Sequence, residues 1–241
     1  MIATVATARR VLHQLRHDPR SAGLLVLMPS VLLALFHWVY AEQPWVFERV
    51  GPQMLGLFPF ILMFLITSVT MVRERLSGTL ERLLTTPLAR GELIGGYALG
   101  FGLVAVVQAA VSSAVAIWLL DLGVDRPWEA LLFAFVGSAV GIALGLLTSA
   151  FARTEFQAVQ FMPLTTFPQL LVCGLLVPVD RMPEPLQWFA TVLPLTYVTD
   201  AFGSLALGEG FAERVGDLLV LSAFAVAALS VASLTLRRRT P

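Results

Sequence analysis

Six long apolar stretches separated by short charged turns constrain this chain more than any other feature. They cover residues 24–40, 54–72, 93–120, 131–151, 158–179 and 218–236. A helix needs about 20 apolar residues to cross the hydrocarbon core of a bilayer, and the runs cluster around that length. Inside lipid the backbone polar groups must bond within their own segment, which a helix achieves. Charged residues make up 13% of the 241, against about 25% in an ordinary soluble domain. The chain reads as an all-α polytopic membrane protein with six transmembrane helices.

The blocks differ in ways that suggest how they pack. The first ends at Trp38 and Tyr40, which suit an interfacial aromatic belt. Pro59 is a candidate kink in the second, where Thr67, Ser68 and Thr70 are candidate polar points of a pathway. The third must tilt or outrun the lipid. Gly95, Gly96, Gly100 and Gly102 near its start allow close helix approach, and Gln108 is its lone polar group at mid-membrane depth. Gln108 fits a structural hydrogen bond better than a substrate contact, though both readings stand. Gly137, Gly141 and Gly145 leave one face of the fourth block bare over successive turns, for tight packing within the chain or across a dimer. Pro163 and Pro168 should kink or break the fifth. Residues 186–197 are too short to span; with the end of block five they form a re-entrant or interfacial hairpin, placed at 180–200.

Charge placement sets the orientation. Six spans put both chain ends on one side, together with Arg9, Arg10, Arg16 and Arg20, the arginines at 73, 75, 82, 90 and 153, and Arg237, Arg238 and Arg239. The other side holds only Arg49, Arg126, Arg181 and Arg214, and the acids are distributed the opposite way. The excess of positive charge places both termini in the cytoplasm of a cell inner or plasma membrane. Residues 1–20, with Val5, Leu12 and Leu15 as a weak apolar face, read as a cytoplasmic interfacial segment.

The polar stretch between blocks two and three reads as a short amphipathic helix over 73–87. Leu76, Leu80, Leu83 and Leu84 recur at helical spacing, while Arg73, Glu74, Arg75, Glu81 and Arg82 bring charge, and Pro87 ends the pattern. A solvated loop helix would account for it. So would a docking element, because a leucine stripe seeks an apolar surface and the charges can meet a soluble partner.

Most catalytic chemistry finds no residues here. The sequence has no phosphate-binding loop and no zinc-protease motif. Cys173 is a single cysteine in an apolar run, and His13, His17 and His37 form no metal set. The basic residues follow membrane sidedness, so nucleic-acid binding is not expected.

The segment Arg73-Glu-Arg-Leu-Ser-Gly-Thr-Leu-Glu-Arg-Leu-Leu-Thr-Thr-Pro-Leu88 resembles the cytoplasmic signature of type-2 ABC transporter permeases, in particular drug-resistance exporter membrane subunits. Leu193-Pro-Leu-Thr-Tyr-Val-Thr-Asp-Ala201, with Pro194, Thr196, Tyr197 and Asp200, resembles the family segment that precedes the last span. The resemblance covers nearly the whole chain as a single transmembrane domain over 1–241. It implies that 73–87 is a coupling helix seated in a separate ATP-binding subunit, which alone carries ATP and Mg. It also implies two permeases, as a homodimer or similar heterodimer, with two ATPases, and no catalysis or cofactor in this chain. The sparse polar lining favours efflux of a lipophilic or amphipathic compound. Polysaccharide or glycolipid export and a non-transporting scaffold or assembly protein are the alternatives.

Overall fold

Helix is the only regular structure among the described residues of the computed structural model, which are 2–84 and 89–235, with all their side chains except those of Ile2, Glu81 and Leu84. In chain order the helices are α1 (Ile2–His17), α2 (Pro19–Val39), α3 (Pro44–Leu76), α4 (Thr79–Leu84), α5 (Arg90–Ala114), α6 (Pro127–Ser149), α7 (Glu155–Val172), α8 (Glu184–Thr191), α9 (Pro194–Ala206) and α10 (Phe211–Thr235). A π-helical turn, Val115–Leu119, extends α5. The triple arginine 237–239 lies outside the described residues.

Five of these are long and apolar enough to cross a membrane: α2, α3, α5 with its π turn, α6 and α10. The protein is thus an all-α polytopic membrane protein. The expected fifth block differs from its sequence reading. α7 covers only 18 residues, runs unbroken through Pro163 and Pro168, and ends at Val172, shortly before Gly174 at φ 91°. Gln157, Gln160 and Gln169 make it more polar than its neighbours. Residues 186–197 are not one segment either; they divide between α8 and α9, with Pro194 opening the second helix.

Proline explains where the apolar blocks understate the helices. Pro19, Pro44, Pro127 and Pro194 stand at the first helical turn. The proline φ is set for a helix there, and the missing N–H is one that no helix would pair. Each of these helices therefore begins before hydrophobicity rises. Asp18 caps α2, accepting the Ser21 N–H at 3.2 Å.

α3 and α6 form the spine. They run parallel, with the glycine-bearing face of α6 against the backbone of α3. A Cβ on Gly141 would lie 2.3 Å from the Phe60 carbonyl oxygen, and one on Gly145 would lie 2.6 Å from that of Phe64. The glycine ladder therefore serves packing within the chain; Gly137, at the looser end, meets Val198 and the Gly56 carbonyl at ordinary distances. α1 seats on α5 in a similar way. A Cβ on Gly96 would come within 2.5 Å of Thr7, and one on Gly100 within 3.0 Å of Val11, whereas one on Gly102 would meet nothing within 4 Å. The buried face of α1 is Thr7, Ala8 and Val11, and Val5 of the expected apolar face is 61% exposed.

The two ends of the spine are tied differently. At its start, α9 lays Val198 and Phe202 across Gly56 of α3. Nearby, Glu129 of α6 and Arg214 of α10 form a buried ion pair, with Arg126 bonded to the same carboxylate at 3.2 Å. At its finish, the last turn of α3 meets α1, α6 and α7.

Gly141→Leu should be the most damaging single change in the spine. The atom it strikes is backbone carbonyl, which cannot rotate away, so the cost should reach or exceed the top of the ~1–3 kcal/mol range for overpacking. Gly102→Leu is the control. Size-exclusion profiles and unfolding midpoints in detergent should show loss of folded Gly141→Leu chain and near-normal Gly102→Leu; equal behaviour would mean that the α3–α6 contact is not this close.

Candidate functional site

Three charged residues in succession close α3. A helix turns about 100° per residue, so adjacent side chains leave in different directions. Arg73 reaches α7, where its Nε and Nη2 donate to the two carboxylate oxygens of Glu155, each at 3.0 Å. Glu74 reaches α1: Arg10 Nη1 donates to Oε2 at 2.8 Å and to Oε1 at 3.1 Å, and Gln14 Nε2 donates to Oε1 at 3.1 Å. Arg75 reaches the end of α6, donating to the carbonyls of Ser149 at 3.0 Å and Ala152 at 3.3 Å. The last carbonyls of a helix have no intrahelical partners and form its negative pole, which suits an arginine.

The Glu74 contact is the most buried of the three. Glu74 is 5% exposed. Arg10 also donates to the Tyr97 hydroxyl of α5, and its guanidinium lies 5.5 Å from the Tyr97 ring centre. Partial burial by itself would lower the Arg10 pKa, but the hydrogen bond and charge of Glu74, with the Tyr97 hydroxyl beside them, outweigh it and hold the group above its ordinary value.

Beyond Arg75 the chain turns sharply. The Ser77 N–H bonds the Arg73 carbonyl at 2.9 Å and the Gly78 N–H that of Arg75 at 3.1 Å. Gly78 sits at φ 72°, the left-handed conformation that commonly ends a helix and that glycine adopts without strain. The expected single helix over 73–87 is therefore corrected: 73–76 belong to α3, and α4 holds only Thr79–Leu84. The leucine periodicity ran straight across a glycine that breaks it. Leu80 is buried among Met71, Leu93 and Tyr97, Leu83 packs at the edge of that cluster, and Leu76 is 61% exposed. Arg82 is exposed on α4. The Glu81 side chain and Thr85, Thr86 and Pro87 lie outside the described structure.

A cleft of about 350 Å³ opens between this turn and the α1–α2 corner, lined in part by Asp18, Thr70, Arg73, Glu74 and Ser77. Hydrogen bonding to Ser21, by its side chain and then its backbone N–H, holds the Asp18 carboxyl below the usual carboxylate range.

The other residues singled out from sequence are scattered. Thr67 and Ser68 are fully buried, beside Gly145 in the α3–α6 contact, and only Thr70 of that trio reaches the cleft. Gln108 donates to the Leu25 carbonyl at 2.7 Å and so joins α5 to α2 as a structural group. In the 194–200 motif, Thr196 donates to the Ala190 carbonyl at 2.9 Å and the Tyr197 hydroxyl to that of Thr191 at 2.7 Å. These bonds close the α8–α9 corner that Pro194 begins, while Asp200 stays exposed. Glu74 and Leu80, both in the set expected to couple to the ATPase, make their contacts inside their own chain. The residues that sequence reading missed are Arg10, Gln14, Tyr97 and Glu155. Each is unremarkable in its own segment, and its partner lies more than 50 positions away.

Breaking one side of the buried pair should cost about 3 kcal/mol, because the remaining charge stays in place without its partner. Glu74→Ala and Arg10→Ala should each lower the unfolding midpoint of the purified chain, and the double variant should cost clearly less than the sum. Strictly additive losses would show that no pair energy exists.

Comparison with known proteins agrees with this architecture. Residues 3–206 match the family model described as ABC-2 type transporter. The chain is 31% identical over 180 residues to ABC transporter G family member 20 of Dictyostelium discoideum, covering 73% of this chain and 25% of that protein. It is 30% identical over 181 residues to the probable multidrug ABC transporter permease YbhR of Escherichia coli K12, covering 72% and 49%. It is 26% identical over 157 residues to the linearmycin resistance permease protein LnrN of Bacillus subtilis, covering 65% and 41%. The chain thus spans a quarter to a half of the length of these relatives. With a matching region that covers most of its helices, this polytopic membrane protein belongs to the ABC-2 type transporter family.

Proposed function

We propose that the chain is the permease subunit of an ATP-driven exporter, with ATP and Mg bound by a separate ATPase subunit. The observation that carries this reading is the last turn of α3. It grips α1, α6 and α7 through Glu74, Arg75 and Arg73, then passes by the Gly78 turn into α4. A displacement of α4 by a partner would reach three other helices through short, directional bonds. α4 is itself anchored to the bundle by buried Leu80, so it would move with the bundle rather than swing freely. The partner-facing surface then starts at Leu76, which is 61% exposed, while Arg73, Glu74, Arg75 and Leu80 hold the element in place.

The same reading makes α7 the sixth span. Its 18 residues extend about 27 Å, close to the ~30 Å hydrocarbon core. Its start is bonded to the finish of α3, and Gln169 near its end accepts the Leu195 N–H of α9, which lies at the start of α3. Both chain ends then lie on one side, the arginine-rich and cytoplasmic one, and 180–200 is the external re-entrant region, with Trp188 71% exposed. Two copies of the chain and two ATPases form the working unit in the cell membrane. The cargo is lipophilic or amphipathic. Support comes from relatives named for multidrug transport and linearmycin resistance.

Reporter fusions at Arg82 and Arg238 should read cytoplasmic and one at Asp125 external; an external signal at Arg82 would overturn the orientation. Leu76→Asp, at a side chain 61% exposed, should leave expression and unfolding midpoint unchanged. The same variant should lower ATPase co-purification at least tenfold and abolish cargo-stimulated ATP hydrolysis in reconstituted vesicles. Unchanged capture together with an unchanged stimulated rate would sink the coupling role of this surface.

A further inference from the structure

The cleft beside the α3 turn has a composition that coupling alone does not require. Part of the lining is apolar: Val11 and Leu15 of α1, Ile66 of α3 and Phe101 of α5. The lining also carries hydroxyls from Ser21, Thr70, Ser77 and Thr79, and the carboxylate of Asp18. The other two charged residues that line it are already engaged, Arg73 with Glu155 and Glu74 with Arg10. Asp18 makes no ion pair among the described residues; Arg20 and Arg73 act on it through space, but neither guanidinium bonds its carboxylate, so its charge is not neutralised by direct contact. Its carboxylate is held by Ser21 at the cap of α2, with Oδ1 accepting the Ser21 N–H at 3.2 Å.

Resting on the permease reading above, we infer that this cleft is a loading site for a single-chain amphiphile with a protonated amine, its apolar body against Val11, Leu15, Ile66 and Phe101 and its ammonium at Asp18. The volume decides the size class. At 350 Å³ the cleft lies at the small end of the ~300–1,000 Å³ range of ligand pockets, too small for a two-tailed lipid but adequate for one chain or a compact ring system. The sign of the charge decides the head group. An anion would meet Asp18 and find the Arg73 fork already occupied on two of its nitrogens by Glu155. A sugar chain would gain nothing from Val11, Leu15, Ile66 and Phe101. An occupant would touch α1, α2, α3, α4 and α5 at once. It would brace the α1–α2 corner against the turn that leads to α4, which gives cargo a direct route to the element that the ATPase is proposed to contact.

The test uses the purified full chain in lipid nanodiscs without any ATPase, so that its outcome is independent of the coupling experiment. Isothermal titration against empty nanodiscs compares decylammonium, decanol and decyl sulfate, with lysophosphatidylethanolamine as the lipid-derived amine. Decylammonium should bind saturably, about fivefold tighter than decanol, in keeping with a solvent-exposed carboxylate, and decyl sulfate should bind weakest. Whichever of the two amines binds tighter identifies the source, exogenous compound or membrane lipid. Asp18→Asn keeps a capping oxygen and removes the charge; it should bring decylammonium down to the affinity of decanol without changing the unfolding midpoint. Thr70→Leu, which fills the cleft, should weaken all four probes. No saturable binding above empty nanodiscs, or an amine preference that survives Asp18→Asn, would overturn the proposal.

Discussion

The backbone contact between α3 and α6 is the constraint on which the remaining structure depends. At Gly141 and Gly145 the two helices approach so closely that no side chain fits between them. Such proximity gains dispersion energy along both backbones, the main attraction available when lipid is as apolar as the protein interior. It also fixes register. Because α6 cannot slide past the carbonyls of Phe60 and Phe64, the ends of the two helices hold definite relative heights. That is what brings the Ser149 and Ala152 carbonyls within reach of Arg75.

Register at the spine then determines the electrostatics at its two ends. One end carries Glu129 and Arg214, fully buried and bonded to each other; the other carries Arg10, Glu74 and Tyr97. A buried charge is tolerated only with a partner in good geometry, and removing one partner costs more than the pair contributes. Both clusters join helices distant in sequence, so each reports whether the bundle is correctly assembled. Packing glycines in the middle and charged bonds at the rims divide the work: the first sets distance, the second sets rotation.

The final turn of α3 shows how a short charged signature can be spent within the fold. Arg73, Glu74 and Arg75 look from their sequence like the surface of a soluble loop, yet all three are turned toward other helices of the same chain. In the proposed function the partner-facing role falls to Leu76 and to α4 beyond Gly78. A helix of six residues has little stability of its own. Leu80 supplies the anchor, which is why α4 is best regarded as an extension of the bundle.

The sequence by itself determined that this is an all-helical membrane protein, because runs of that length and apolarity have no stable alternative in lipid. It also determined that the fourth block packs tightly, since three glycines at one helical face serve little else, and that a distinctive polar element lies between blocks two and three. Helix starts were legible too, in prolines whose significance hydrophobicity counting passes over. Only the tertiary structure decided where the glycine ladder is spent, that the 73–87 stretch divides at Gly78, and that Glu74 faces inward while Leu76 faces out. It alone joined Arg10, Gln14, Tyr97 and Glu155 to that turn. The reason is physical: period and composition describe one segment against an averaged environment, whereas an ion pair needs two particular side chains at 3 Å, and that distance is set by the register of helices whose contacts are non-local.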